Sequence, residues 1–191
     1  MVSKRPRLRA ARALGVIGVI GALGPLGAAL VGCSGDPEPP PPPQVLSPSE
    51  AGAIYLDAVC PVNDAWDAAD VELDRLRVAL ARDGAPEIDT RLFAETMDAV
   101  AAASERAAER LDTKQQEWPT RTEAAVEDVR ETLEDDRTQA RRVAKLDADE
   151  AVGYAWQGAA ESASASAAAR EALGLPEDPV AACAQWEEQS P

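Results

Sequence analysis

Eight side chains, Tyr55, Val59, Val62, Trp66, Ala69, Leu73, Leu76 and Leu80, recur at alternating spacings of four and three residues. A period of about 3.5 gathers them on one stripe of an α-helix and scatters them over both faces of a strand. The stripe therefore predicts a long amphipathic helix whose apolar side needs partners. Pro61 falls inside it, beside Cys60. It predicts a kink or a split, because proline lacks the N–H and crowds the carbonyl one turn back. The start is a capping box: Ser47 can cap, Pro48 suits the first turn, and Glu50 stands three residues after the serine. Asp83-Gly84 marks the end, where glycine can take a left-handed turn.

The rest of the chain supplies the partners. A second helix is expected from Glu87 to Glu117, with Phe93, Met97, Val100, Ser104, Ala107 and Leu111 inward and Trp118-Pro119 as its break. A further capping box, Thr120 with Glu123, opens a third helix that turns Val126, Val129, Leu133, Ala140 and Val143 inward. Asp136 or Arg137 then falls near that stripe and is expected at its rim, with a buried pair as the alternative. The pattern loses phase around Asp147-Ala148-Asp149, which predicts a turn; one long bent helix is the alternative. A fourth helix, Glu150 to Leu173, presents Val152, Trp156, Ala159, Ala160, Ala163 and Ala167, small enough for close backbone approach. Gly174 and Leu175-Pro176 stop it, and Asp178-Pro179 opens a last short turn. Aromatics are only 4% and β-branched residues are sparse, which favours helix over sheet. The expected fold class is all-α: an antiparallel three- to four-helix bundle over residues 48–186, with 187–191 a frayed tail.

The N-terminus has a different character. Lys4, Arg5, Arg7, Arg9 and Arg12 come without an acid. Leu14 to Leu23 is apolar and carries Gly15, Gly18 and Gly21; Gly24-Pro25 interrupts it. Small residues Gly27, Ala28 and Ala29 lead into Leu30-Val31-Gly32-Cys33. Positive charge keeps such an end inside while the rest crosses. The apolar run has signal-peptide length, and the absence of an Arg-Arg pair gives no support to a twin-arginine route. This arrangement resembles the signal peptide and lipobox (Leu30, Val31, Gly32, Cys33) of bacterial lipoproteins. The resemblance implies that residues 1–32 are removed and that the Cys33 thiol carries a diacylglyceryl group. The protein would then sit on the outer face of the cytoplasmic membrane. Two acyl chains hold stably where one holds marginally. The competing reading is an uncleaved span, since Leu14 to Val31 is 18 apolar or small residues, the minimum for crossing. Glycine and proline make it a poor helix.

Residues 33–47 read as a spacer. Asp36-Pro37-Glu38 leads into Pro39 to Pro43, a run that adopts polyproline II at about 3.1 Å per residue. A docking peptide for an aromatic groove is the alternative. Anchor, proline spacer and helical domain together resemble, in layout, small uncharacterised lipoproteins of high-GC bacteria. If lipid occupies Cys33, two of the three cysteines remain, Cys60 and Cys183. An oxidising compartment implies that they pair. The loop would hold 124 residues, for which chain entropy suggests about 4–5 kcal/mol. Free thiols or a reactive cysteine are the alternatives, with no histidine present to activate either.

The chain has 19 basic and 34 acidic residues, and five of the basic ones lie in the first twelve positions. The mature chain would keep 14 against 34, a net charge of −20. That excludes nucleic acid and anionic headgroups as electrostatic partners. Cationic partners and divalent cations stay open.

Little chemistry is visible. The absence of histidine removes the commonest general base and metal ligand. Beyond Cys33 there is no Gly-Xaa-Ser-Xaa-Gly, phosphate-binding loop, dinucleotide fingerprint or EF-hand loop. Asp135-Asp136 and Asp147/Asp149/Glu150 could hold calcium weakly, and a bare carboxylate pair is the enzymatic option left. Acids on solvent faces of helices explain them more simply. A helix turns Ser162, Ser164 and Ser166 to different faces. The expectation is no enzyme, no catalytic residues, no metal and no cofactor other than the lipid on Cys33. Tyr55, Trp66 and Trp156 read as core, or as a candidate pocket beside Pro61. The expected role is a lipid-anchored structural or protein-interaction module of the cell envelope, meeting an envelope protein partner. The alternative is a binding lipoprotein that holds a small apolar ligand or cation near those three aromatics.

Overall fold

The stripe of eight forms one helix, α1, over Pro48–Leu80, in a computed structural model that describes residues 44–82, 88–112 and 116–189. The chain divides into two units, residues 1–40 and 41–191, and every described residue belongs to the second. The signal segment, Cys33 with its lipobox, the run Pro39 to Pro43 and the Asp83-Gly84 stop lie outside the described residues. After α1 come α2 (Arg91–Leu111), α3 (Thr120–Val143), α4 (Ala148–Val152), α5 (Ala159–Leu173) and α6 (Pro179–Gln189).

The capping box at Ser47 forms as expected. Glu50 N donates to Ser47 Oγ at 3.3 Å, and Ser47 N donates to the Glu50 carboxylate at 2.9 Å. Those hydrogen bonds hold the Glu50 carboxyl below its ordinary range. Of the kink or split expected at Pro61, the split does not occur: α1 runs on through the proline. Pro61 sits on the exposed side, where the carbonyl it leaves unpaired can meet water, while the stripe on the other side stays packed.

α2 is shorter than the predicted 87–117. Asp89 Oδ1 accepts from Arg91 N at 2.9 Å, an Asx turn that replaces an earlier helical turn. At the other end Trp118 Nε1 donates to Leu111 O at 3.0 Å, so an indole satisfies a terminal carbonyl. The Thr120–Glu123 capping box does not form. Pro119 is the N-cap of α3, and Thr122 Oγ1 donates back to the Pro119 carbonyl at 2.9 Å. The second capping box stands where the turn was predicted, Asp147 with Glu150, and it starts α4 as a helix separate from α3.

The predicted fourth helix is broken. Its first turn is α4, five residues long, and α5 begins only after Gly158, held at φ 78°. The alanine face is also turned the other way: Ala159, Ala160, Ala163 and Ala167 are exposed, and Ala165, Ala169 and Leu173 face the bundle. Gly174, at φ 70°, ends α5 as expected.

α1 and α2 run antiparallel. Arg110, late in α2, donates to Asp57, early in α1, at 3.1 Å. Arg75, late in α1, donates to the carbonyl of Asp89, just before α2, at 3.0 Å. α2 packs next on α3, α3 on α5, and α6 on α1. A short parallel ladder closes one end: β1 (Gln44–Val45) pairs with β2 (Gln116–Glu117). Leu46 N then donates to Glu117 O at 2.9 Å, and the Leu46 side chain is buried. Residues 44–47, read from sequence as the end of the spacer, thus belong to the bundle.

The core has two clusters. Tyr55, Leu56, Leu111, Val126, Val129, Leu133 and Leu173 centre the first. Ala69, Leu76, Phe93, Met97, Val100, Ala140 and Val143 centre the second. Ala65 and Trp66 pack against both. Among the described residues no helix is long and apolar enough to cross a membrane.

Candidate functional site

Of the three aromatics read as core or candidate pocket, Tyr55 and Trp156 lie at different clusters and Trp66 packs against both. Tyr55 is buried in the first cluster. Trp66 and Trp156 pack edge to face, ring centroids 4.7 Å apart, beside the second. Tyr154 adds a further edge contact to Trp156 at 5.9 Å. Trp156 is not helical. It sits on the six-residue connection between α4 and α5, which lays its ring against α1 and α3.

That connection is clasped from α3. Gln139 Nε2 donates to Gln157 O at 2.8 Å, and Gln157 N donates back to Gln139 Oε1 at 2.9 Å. Tyr154 OH donates to the same Oε1 at 3.3 Å. One helical turn earlier, Asp136 Oδ1 accepts from Trp156 Nε1 at 3.1 Å. Asp136 is 8% exposed, so the rim position expected for it is corrected to a buried one. Burial pushes its carboxyl above the ordinary range; the Trp156 hydrogen bond opposes this and the neighbouring Asp135 adds to it.

Tyr55 lines a different feature, a groove of about 210 Å³ between α1, α5 and the start of α6. Leu56, Val59 and Ala182 supply apolar wall. Asn63, Ser166 and Arg170 also line it. Tyr55 OH donates to the Ser166 carbonyl at 3.4 Å, and burial pushes its ionisation up. Arg170 Nε donates to Glu177 O at 3.0 Å. The groove is bounded by the cross-link: Cys60 and Cys183 form a disulfide with Cα atoms 5.6 Å apart. Asn63 Nδ2 donates to Cys183 Sγ at 3.6 Å. None of Asn63, Ser166 and Arg170 was marked by sequence. All three are polar residues on alanine-rich or acidic stretches, and only their convergence in space distinguishes them.

The acidic pairs that could hold calcium have other employment. Asp147 and Glu150 accept from backbone N–H groups in their capping box. Asp136 is turned inward to Trp156, away from a shared site with Asp135. Among the described residues no three acids or cysteines converge as a metal site. No protein-family model, curated protein or solved structure matches the chain.

Proposed function

We propose that this chain is a lipid-anchored, extracytoplasmic helical bundle of the bacterial cell envelope that acts through its surface on another envelope component. The observation that carries the reading is the cysteine arrangement. Cys60 and Cys183 are joined, and of three cysteines this leaves Cys33, the one at the end of Leu30-Val31-Gly32-Cys33. A disulfide suits an oxidising compartment, and the basic-then-apolar segment before Cys33 suits export to one. A surface role is favoured over chemistry by the absence of histidine and by two clusters of closely packed apolar side chains. The parallel ladder at Gln44–Val45 ties the residues just before α1 to the bundle, which suits a spacer ahead of them.

The test is Cys33→Ser in a bacterial host fed a clickable fatty acid. Label should disappear, and the protein should move from the membrane to the soluble exported fraction. Retained label on the variant would sink the reading.

A further inference from the structure

We infer that the groove between α1, α5 and α6 binds a small organic carboxylate with an apolar body about the size of one ring. Among the described residues three arginines are half-buried: Arg130, Arg137 and Arg170. Arg130 pairs with Glu127 and Glu134, and Arg137 with Glu105. Arg170 interacts with the Tyr55 hydroxyl and, among the described residues, makes no ion pair. Its Nε is held by the Glu177 carbonyl, which fixes the guanidinium without neutralising it. In a chain with 34 acids, a half-buried arginine without a carboxylate is a site that another anion can complete.

The surroundings bring no opposing charge. The residues lining the groove include Tyr55, Asn63, Ser166 and Arg170 and no aspartate or glutamate. Asp178, close in sequence, is occupied by the Val180 N–H at 3.0 Å. Tyr55 stays protonated, because burial resists its ionisation. Arginine's planar fork meets a carboxylate through two parallel hydrogen bonds. Leu56, Val59 and Ala182 supply apolar wall beside these polar groups, which calls for a ligand with a hydrocarbon part. Size sets the scale: a cavity of about 150 Å³ accepts benzene, so about 210 Å³ leaves room for one ring and its carboxylate. A cation, the ligand class expected from overall charge, meets the wrong sign here. Such binding does not depend on the lipid anchor.

The experiment is equilibrium dialysis of the full chain against labelled benzoate and hexanoate, with benzamide and inorganic phosphate as controls. The carboxylates should bind saturably at one per chain, and benzamide and phosphate at least about tenfold more weakly. Arg170→Gln should weaken benzoate binding about tenfold or more. Ala163→Leu fills the groove from an exposed position on α5 and leaves the arginine in place; it should abolish binding. If Arg170→Gln does not fold, Ala163→Leu decides alone. Four results would each overturn the inference: no saturable carboxylate binding, benzamide equal to benzoate, phosphate equal to benzoate, or a blocked groove that binds as before.

Discussion

Asp136 carries a carboxylate into the interior with one hydrogen bond, from Trp156 Nε1, to offset its lost hydration. Its folded-state pKa is raised, so the folded chain holds that proton to higher pH than the unfolded chain does. The sign of the pH effect follows. Whatever stability this group contributes is complete below the ordinary aspartate range, and it is lost as pH climbs through the raised value. Once ionised, the buried side chain is a cost. Asp136→Asn keeps an oxygen for Trp156 and removes the charge, so thermal unfolding at pH 7 should move up, at about 2–4 °C per kcal/mol for a chain of this size. The gain should shrink toward pH 4. An equal or lower midpoint at pH 7 would show that the carboxylate is favourably solvated where it lies. The sequence put an acid or Arg137 beside the stripe of α3 but could not choose between adjacent positions that straddle its edge. The residue that decides the matter, Trp156, arrives from twenty positions away on a connection that resembled helix.

At the scale of elements, legibility follows side-chain size. The stripes of α1, α2 and α3 are built of Leu, Val, Phe and Met, and each packs inward as its spacing requires. α5 has no such marker. Alanine occurs on both of its sides, so sequence fixes neither its face nor its start. Gly158, which begins it, looked like one more helical residue although its φ of 78° suits glycine alone. α6 is the limiting case. Ala182 is its one fully buried apolar side chain among the described residues, Cys183 and Trp186 pack half-buried against the first cluster, its packing is chiefly on α1, and the Cys60–Cys183 bond holds it there. Apolar burial this small cannot offset the ordering of eleven residues. Reduction should therefore release α6 without unfolding the rest. Amide hydrogen exchange checks this: with reductant, residues 179–189 should lose protection while the interiors of α1, α2 and α3 keep theirs. Protection retained in α6 would show that packing holds it, not sulfur.

Across the whole molecule two electrostatic effects oppose each other, and salt separates them. Eight ion pairs occur among the described residues, most of them on the surface. Two of them share Arg130 and two share Glu105. Pairs of this kind contribute about 0–1 kcal/mol each and weaken as salt screens them. Against them stands the repulsion of a chain with 34 acids and 19 bases. Asp64, Asp67 and Asp70, exposed along one stretch of α1, have no ion pair and lie within a few turns of one another. At about 10 mM salt the screening length is about 30 Å, so each such carboxylate feels many others; at about 0.1 M it falls to about 10 Å. Repulsion acts over the whole surface and the ion pairs only locally, so repulsion should prevail at low salt. The unfolding midpoint is expected to rise as sodium chloride increases from about 10 mM to about 0.3 M, with most of the rise in the first part of that range. Chloride at these concentrations acts mainly by screening, without the surface exclusion that sulfate adds. A midpoint that falls over the same range would mean that the paired charges, few as they are, outweigh the unpaired ones.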